Sequence, residues 1–274
     1  MKRIAVLSSL SVVLLMIMSC AAPMAYREEV KKVKKVAVIS VGANSLIFHA
    51  ETGTYNAPEK EDARVAERRK ESGFGTDSTP DCINQILAAA YDTVREEFKA
   101  IPHWQIIPVE AIKDNAAYKA AVGDLTNVQY YIPSATLPGT KFFDAFNADS
   151  ETARPSWHRM ADLARALDVD AVMVVYTSLA YKPTGMGFGL NFGFVKSMGQ
   201  PVVGMSINVI TRETNTAIWA RTGLKFNGEE VKMMLSGKVN FTKDEPAVMA
   251  SYNKAVKASV KSIMSTVVEE MNAK

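Results

Sequence analysis

Residues 161–225 constrain the fold most. They begin as a short amphipathic helical pattern and pass through the apolar run Ala171-Val172-Met173-Val174-Val175-Tyr176. A glycine-rich segment follows, and then two more runs of β-branched and aromatic residues separated by turn residues. Successive runs of this kind read as paired strands at the centre of a sheet. The flanking sequence supplies helices to cover it. The expected fold is α+β: a mixed, largely antiparallel sheet covered by helices, forming a single globular domain behind an N-terminal leader.

Within that stretch, Gly185-Met186-Gly187-Phe188-Gly189-Leu190-Asn191-Phe192-Gly193-Phe194 alternates strictly. Met186, Phe188, Leu190, Phe192 and Phe194 fall on one side of a strand; Gly185, Gly187, Gly189, Asn191 and Gly193 fall on the other. A period of two argues for a strand, and a dinucleotide fingerprint needs a helix after its glycines, whereas residues 195–201 lead into more strand. The bare glycine face has three uses: close approach of a neighbouring backbone, pairing across a subunit boundary, or one strand of an oligomeric barrel. The last needs ~9–11 alternating residues to cross a bilayer. Gly185, Gly187, Phe188, Gly189 and Phe192 are therefore candidate interface residues.

The N-terminus reads as a secretory leader. Lys2 and Arg3 precede an uncharged run to Met18 that is shorter than the ~20 residues of a comfortable membrane span. It ends Ile17-Met18-Ser19-Cys20-Ala21-Ala22, which resembles the bacterial lipobox. That resemblance implies cleavage after residue 19, diacylglycerol on the Cys20 sulfur and acylation of the new amine. Palmitate-type chains there would anchor the protein to a membrane stably, since two or more are needed. Ala21 after the cysteine resembles an outer-membrane address, on the periplasmic face. Residues 20–34 then form a basic tether, with Arg27, Lys31, Lys32, Lys34 and Lys35 near the anchor. The other cysteine, Cys82, has no partner for an internal disulfide once Cys20 is lipidated. The full chain carries +3, and the loss of two leader cations leaves the mature chain near +1. No concentrated basic face for nucleic acid follows from that balance.

Residues 35–274 form the expected domain, with insertions at about 42–79 and 123–155. A first buried strand covers 36–41. Helices are expected at 80–100, 156–167 and 247–272, with a weaker one at 109–122 and a short strand at 104–107. Thr79-Pro80-Asp81 supplies an N-cap, a proline at the first helical position and an acidic first turn. Ile83, Ile86, Leu87, Ala90, Val94 and Phe98 then mark one buried face. Phe142, Phe143 and Phe146 either cover the core or form an exposed partner patch. His49, His103 and His158 are scattered, and no nucleophile elbow, zinc helix or Cys-x-x-Cys pair occurs. Neither a catalytic set, a metal site nor a cofactor is expected; the chain reads as a binding protein.

The text Leu163-Ala164-Arg165-Ala166-Leu167-Asp168-Val169-Asp170-Ala171-Val172-Met173-Val174 resembles the helix-to-strand passage of the curli-secretion (CsgG-like) lipoprotein family. That superfamily also takes in the penicillin-binding-protein activator lipoprotein and the TolB N-terminal domain. Asp168 stands where glycine is common, so the helix end is expected to be made differently. Residues 203–210 and 217–221, joined across Arg212-Glu213-Thr214-Asn215-Thr216, are similar to the family's hairpin, with Asn215 in place of glycine. The resemblance implies an envelope lipoprotein that binds a protein partner or self-assembles, in envelope assembly, secretion or cell-wall regulation. The alternative it carries is a subunit of an oligomeric outer-membrane secretion pore.

Overall fold

The computed structural model describes residues 24–25, 27–44, 48–49, 81–121, 134–141, 143, 156–187, 195–214, 217–236, 238–239 and 246–272. In chain order the elements begin with β1 (Met24–Ala25), α1 (Arg27–Lys32), β2 (Lys35–Asn44) and β3 (Phe48–His49). Next come α2 (Asp81–Glu97) with a 3-10 turn at Phe98–Ala100, β4 (Gln105–Ile107), α3 (Val109–Ile112), α4 (Ala116–Ala120) and β5 (Ser134–Thr136). The C-terminal half supplies α5 (Ser156–Ala166), β6 (Ala171–Gly187), β7 (Val195–Thr211), β8 (Ala217–Asn227), β9 (Val231–Ser236), β10 (Lys238–Val239) and α6 (Pro246–Asn272). Among the described residues the strands form one sheet, ordered β1-β8-β7-β6-β2-β4, with β3, β5, β9 and β10 attached beside that path. The architecture is α+β, and the sheet is mixed and mostly antiparallel.

β2 is buried from its second residue to its last, as a strand must be when helices cover both faces. It pairs in parallel with β4 on one side and β6 on the other. The crossovers β2-α2-β4 and β4-α5-β6 run in opposite directions across the sheet. Right-handed connections then put α2 and α5 on opposite faces. α2 lies against α6, while α5 lies against β6, β7 and α4.

The α2/α6 face is fully covered: Met173, Val175, Thr177 and Leu179 of β6 lie beside Val209, Ile207, Met205 and Val203 of β7, and all are buried. Ile83, Ile86, Leu87, Ala90, Val94 and Phe98 of the α2 segment are buried there too. The Phe98 ring stacks on Trp104 and meets Trp219 edge-on. Tyr252, Val256, Val260, Ile263 and Val267 of α6 are buried, which makes α6 a covering helix. The α5 face is covered at one end only. Val172, Val174, Ile210 and Asn208 are buried, but Tyr176, Ser178, Ala180, Ser206 and Gly204 are partly or fully exposed.

Three local departures from the sequence reading have physical causes. The helix expected at 109–122 is two short helices, because the Asn115 side chain caps a new start by accepting from the Ala117 and Tyr118 amides. The α5 terminus is made with the usual hydrogen bonds after all: the Asp168 amide donates to Arg165 O and the Val169 amide to Ala164 O. That is the Schellman arrangement, and Asp168 takes its left-handed position with φ 50°. Part of the spacer at 20–34 is folded. Met24 and Ala25 pair with Ala220 and Trp219, and Val30 and Val33 are buried.

A bulge in β2 places Ile39 between two rungs shared with β6. Its carbonyl accepts from Tyr118 Oη at 2.6 Å, and the next residue, Ser40, accepts the Phe143 amide at 3.4 Å. Tyr118 and Phe143 stack, with ring centroids 6.3 Å apart. Burial pushes the Tyr118 phenol up to about 12, although the Lys141 amide donates to it. Tyr118 is therefore a fixed donor at all physiological pH.

Candidate functional site

β6 and β7 are each 17 residues long and pair along their whole length, from Ala171↔Thr211 to Gly187↔Lys196. At ~3.3 Å per residue each spans about 55 Å, far more than a typical strand of ~5–6 residues. One end lies in the helix-covered body and the other continues beyond it. The register slips between Pro183 and Gly185. Proline has no amide to give the ladder, so a bulge is the tolerated place for it. Beyond that bulge, β9 joins the far edge of β7 from Val195↔Leu235 to Gly199↔Val231, and β10 folds back on β9. The sheet therefore prolongs itself as a narrower ribbon.

The start of α6 clamps the root of this ribbon. Tyr252 Oη donates to Ala180 O at 2.7 Å, and Ser251 Oγ donates to Glu229 O at 2.8 Å. Lys254 pairs with Glu229. Gly228 donates its amide to Pro201 O at 2.7 Å and accepts from Gln200 Nε2 at 2.9 Å. A Cβ on Gly228 would sit 2.5 Å from Ser251 Oγ and 2.9 Å from the Ser251 carbonyl oxygen. Only a glycine allows α6 so near the β8–β9 turn.

On the opposite side of β6, Asn44 continues β2 by means of its side chain. Its Nδ2 donates to Leu179 O at 2.9 Å, and its Oδ1 accepts from the Leu179 amide at 2.6 Å. β3 then resumes parallel pairing at Ala180 and Tyr181. On β8, buried Arg221 lies with its guanidinium 5.8 Å from the Trp219 ring centre. Burial draws its pKa down from the ordinary value.

At the foot of the hairpin, Asp170 Oδ2 accepts the amides of Lys34 and Lys35, each at 2.9 Å. Arg212 approaches Asp170 at 3.4 Å and Asp168 at 3.6 Å. Partial burial pushes the Asp170 carboxyl up, but the two amides and Arg212 outweigh it and hold it below its usual range.

The candidate residues fall out as follows. Gly185 and Gly187 lie in the ribbon end of β6, opposite Met198 and Lys196. Phe188, Gly189, Phe192, Phe142 and Cys20 lie outside the described residues. Phe143 is buried against Tyr118, so of its two readings the structure takes core cover and removes it from the interface set. Cys82 falls in α2. Among the described residues no group of three or more His, Cys, Asp or Glu is placed to hold a metal. Among them, too, no helix is long and apolar enough to cross a membrane. Sequence reading missed the clamp at Gly228, whose one signal is an isolated glycine among polar residues at 227–230.

No family model and no curated protein matches the chain. Among solved structures it is similar to a neuraminyllactose-binding hemagglutinin homolog from Helicobacter pylori, at 11% identity and a TM-score of 0.26. That match covers 37% of this chain and 54% of the other, about half its length, and a likeness of this size carries no argument.

Proposed function

We propose that the protein is a bacterial cell-envelope lipoprotein, anchored through Cys20 at the periplasmic face of the outer membrane. It works there by binding a protein partner or further copies of itself, in envelope assembly, secretion or cell-wall regulation. The observation that carries this reading is the ribbon: β6, β7 and β9 continue the paired sheet past the Pro183 bulge, and among the described residues no strand pairs with the other edge of β6 beyond Tyr181, which is an edge another chain can extend. The lipobox-like Ile17-Met18-Ser19-Cys20 and the resemblance of residues 163–174 to the curli-secretion family support it from the sequence.

A second reading, a subunit of an oligomeric outer-membrane pore, is favoured by the length of the hairpin. Beyond the core, which holds β6 up to about Ala180, the alternating residues 185–194 supply ten positions against the ~9–11 that cross a bilayer. One experiment separates the two. The mature protein is purified from outer-membrane fractions and its Cys20 peptide is weighed, while a Cys20-deleted soluble form is used to capture crosslinked partners. Acylated Cys20 with a monomeric soluble form that captures one envelope partner supports the adaptor. Heat-modifiable, detergent-resistant rings support the pore. An unmodified start beyond Cys20 with release into the medium overturns both.

A further inference from the structure

The folded body starts very close to the proposed anchor. Between Cys20 and Met24, the first residue of β1, there are four Cα–Cα steps, about 14 Å at full extension. The chain after that point adds no slack. β1 is paired to β8, Val30 and Val33 of the α1 segment are buried, and the Trp104 indole donates to Val30 O at 3.3 Å. β1 covers β8 only at Ala220 and Trp219, antiparallel to it. Among the described residues, no strand occupies the same edge of β8 from 221 to 227.

We propose that α1 and the β1–β8 edge form a membrane-apposed face, held by the acyl chains against an anionic phospholipid surface. This deepens the lipoprotein reading and rests on Cys20 being acylated. A long spacer would let the domain turn freely, but a leash of about 14 Å is shorter than the sheet is wide. The far edge, β4, lies five strand spacings away, about 24 Å at ~4.8 Å each. Charge agrees with the orientation. α1 carries exposed Lys31 and Lys32, paired with Glu28 and Glu29 at 3.0 and 2.7 Å, and exposed Lys225 stands on β8. Cations next to an anchor are drawn to anionic headgroups. The β8 edge is then closed to protein partners, which must approach through the ribbon or the β4 side.

The test uses the full-length acylated protein in phosphatidylethanolamine–phosphatidylglycerol vesicles that carry a spin-labelled headgroup lipid as a short-range quencher. Fluorophores are placed singly at Lys225→Cys on β8 and Lys113→Cys after α3, in a Cys82→Ser background. The expected result is at least twofold stronger quenching at position 225 than at 113. Inserting 20 Gly/Ser residues between Pro23 and Met24 should erase that difference while the circular dichroism spectrum stays unchanged. Equal quenching at the two positions, with Cys20 shown acylated by mass, overturns the orientation and leaves the lipoprotein reading intact. An unacylated Cys20 overturns both.

Discussion

Asp168 holds a backbone conformation that suits glycine, with φ 50°, and Asp170 two residues later fastens the first long strand to the sixth. The two carboxylates so close together do opposite things. Asp168 is strained and exposed, and an Arg212 nitrogen approaches it only to 3.6 Å, so its ion pair is worth little. Asp168→Gly should raise stability by about 0.5–1 kcal/mol, because the left-handed penalty outweighs the added freedom of the unfolded glycine. A thermal melt a few degrees higher checks it; an unchanged or lower melt refutes it. Asp170 is instead a structural acceptor. Its folded pKa lies below the unfolded value, so its contribution is complete above about pH 4, the unfolded carboxyl value, and fades as pH falls through the folded one. Asp170→Asn should lose about 1–2 kcal/mol at neutral pH, the scale of a hydrogen bond to a charged group. Denaturant melts of the two proteins should converge in acid; a constant gap down to pH 2 would contradict the assignment.

At the scale of elements, what sequence made legible was what local periodicity encodes. The apolar stripes of α2, α5 and α6, the buried β2 and the β7–β8 turn are set by neighbours three, four or two residues away, and they fold where those patterns fall. The continuity of β6 through Pro183 was not visible, because proline and glycine read as breaks until a partner strand absorbs them in a bulge. The Asn44 bridge to Leu179 was not visible either, since it joins residues 135 apart. The position of Phe143 depended on Ser40 and Tyr118, which only the folded chain brings together. Gly228 tests the element level. Gly228→Val must push α6 off the β8–β9 turn, since the Ser251 backbone cannot yield as a side-chain tip would. A loss of about 2–3 kcal/mol, in the range of overpacked sites, is expected, with proteolysis starting in β9 ahead of α2. Unchanged stability would mean that the clamp is looser than its distances suggest.

For the whole molecule, the sheet serves as a body at one end and as a reaching surface at the other. Gly185 and Gly187 sit on the reaching part, and side chains added there should obstruct whatever pairs with it. Gly187→Val with Gly189→Val is expected to abolish oligomers or partner capture in crosslinked cells, with the thermal melt moved by no more than a few degrees. Retained assembly at wild-type levels would remove the ribbon as the contact surface. The sign of the outcome separates the function of this region from its stability, because the body that carries the core begins only below Ala180, where Tyr252 is fastened.

That fastening also sets how the molecule bears load. β6 is gripped along its lower half by β7 on one side and β2 on the other. A pull on the tip along the strand axis is met in shear, with many rungs resisting together. A sideways pull instead peels β9 and the α6 contacts one at a time. A tug from a bound assembly would therefore be tolerated lengthwise and yield crosswise, so the protein is mechanically stiff in one direction and compliant in the other.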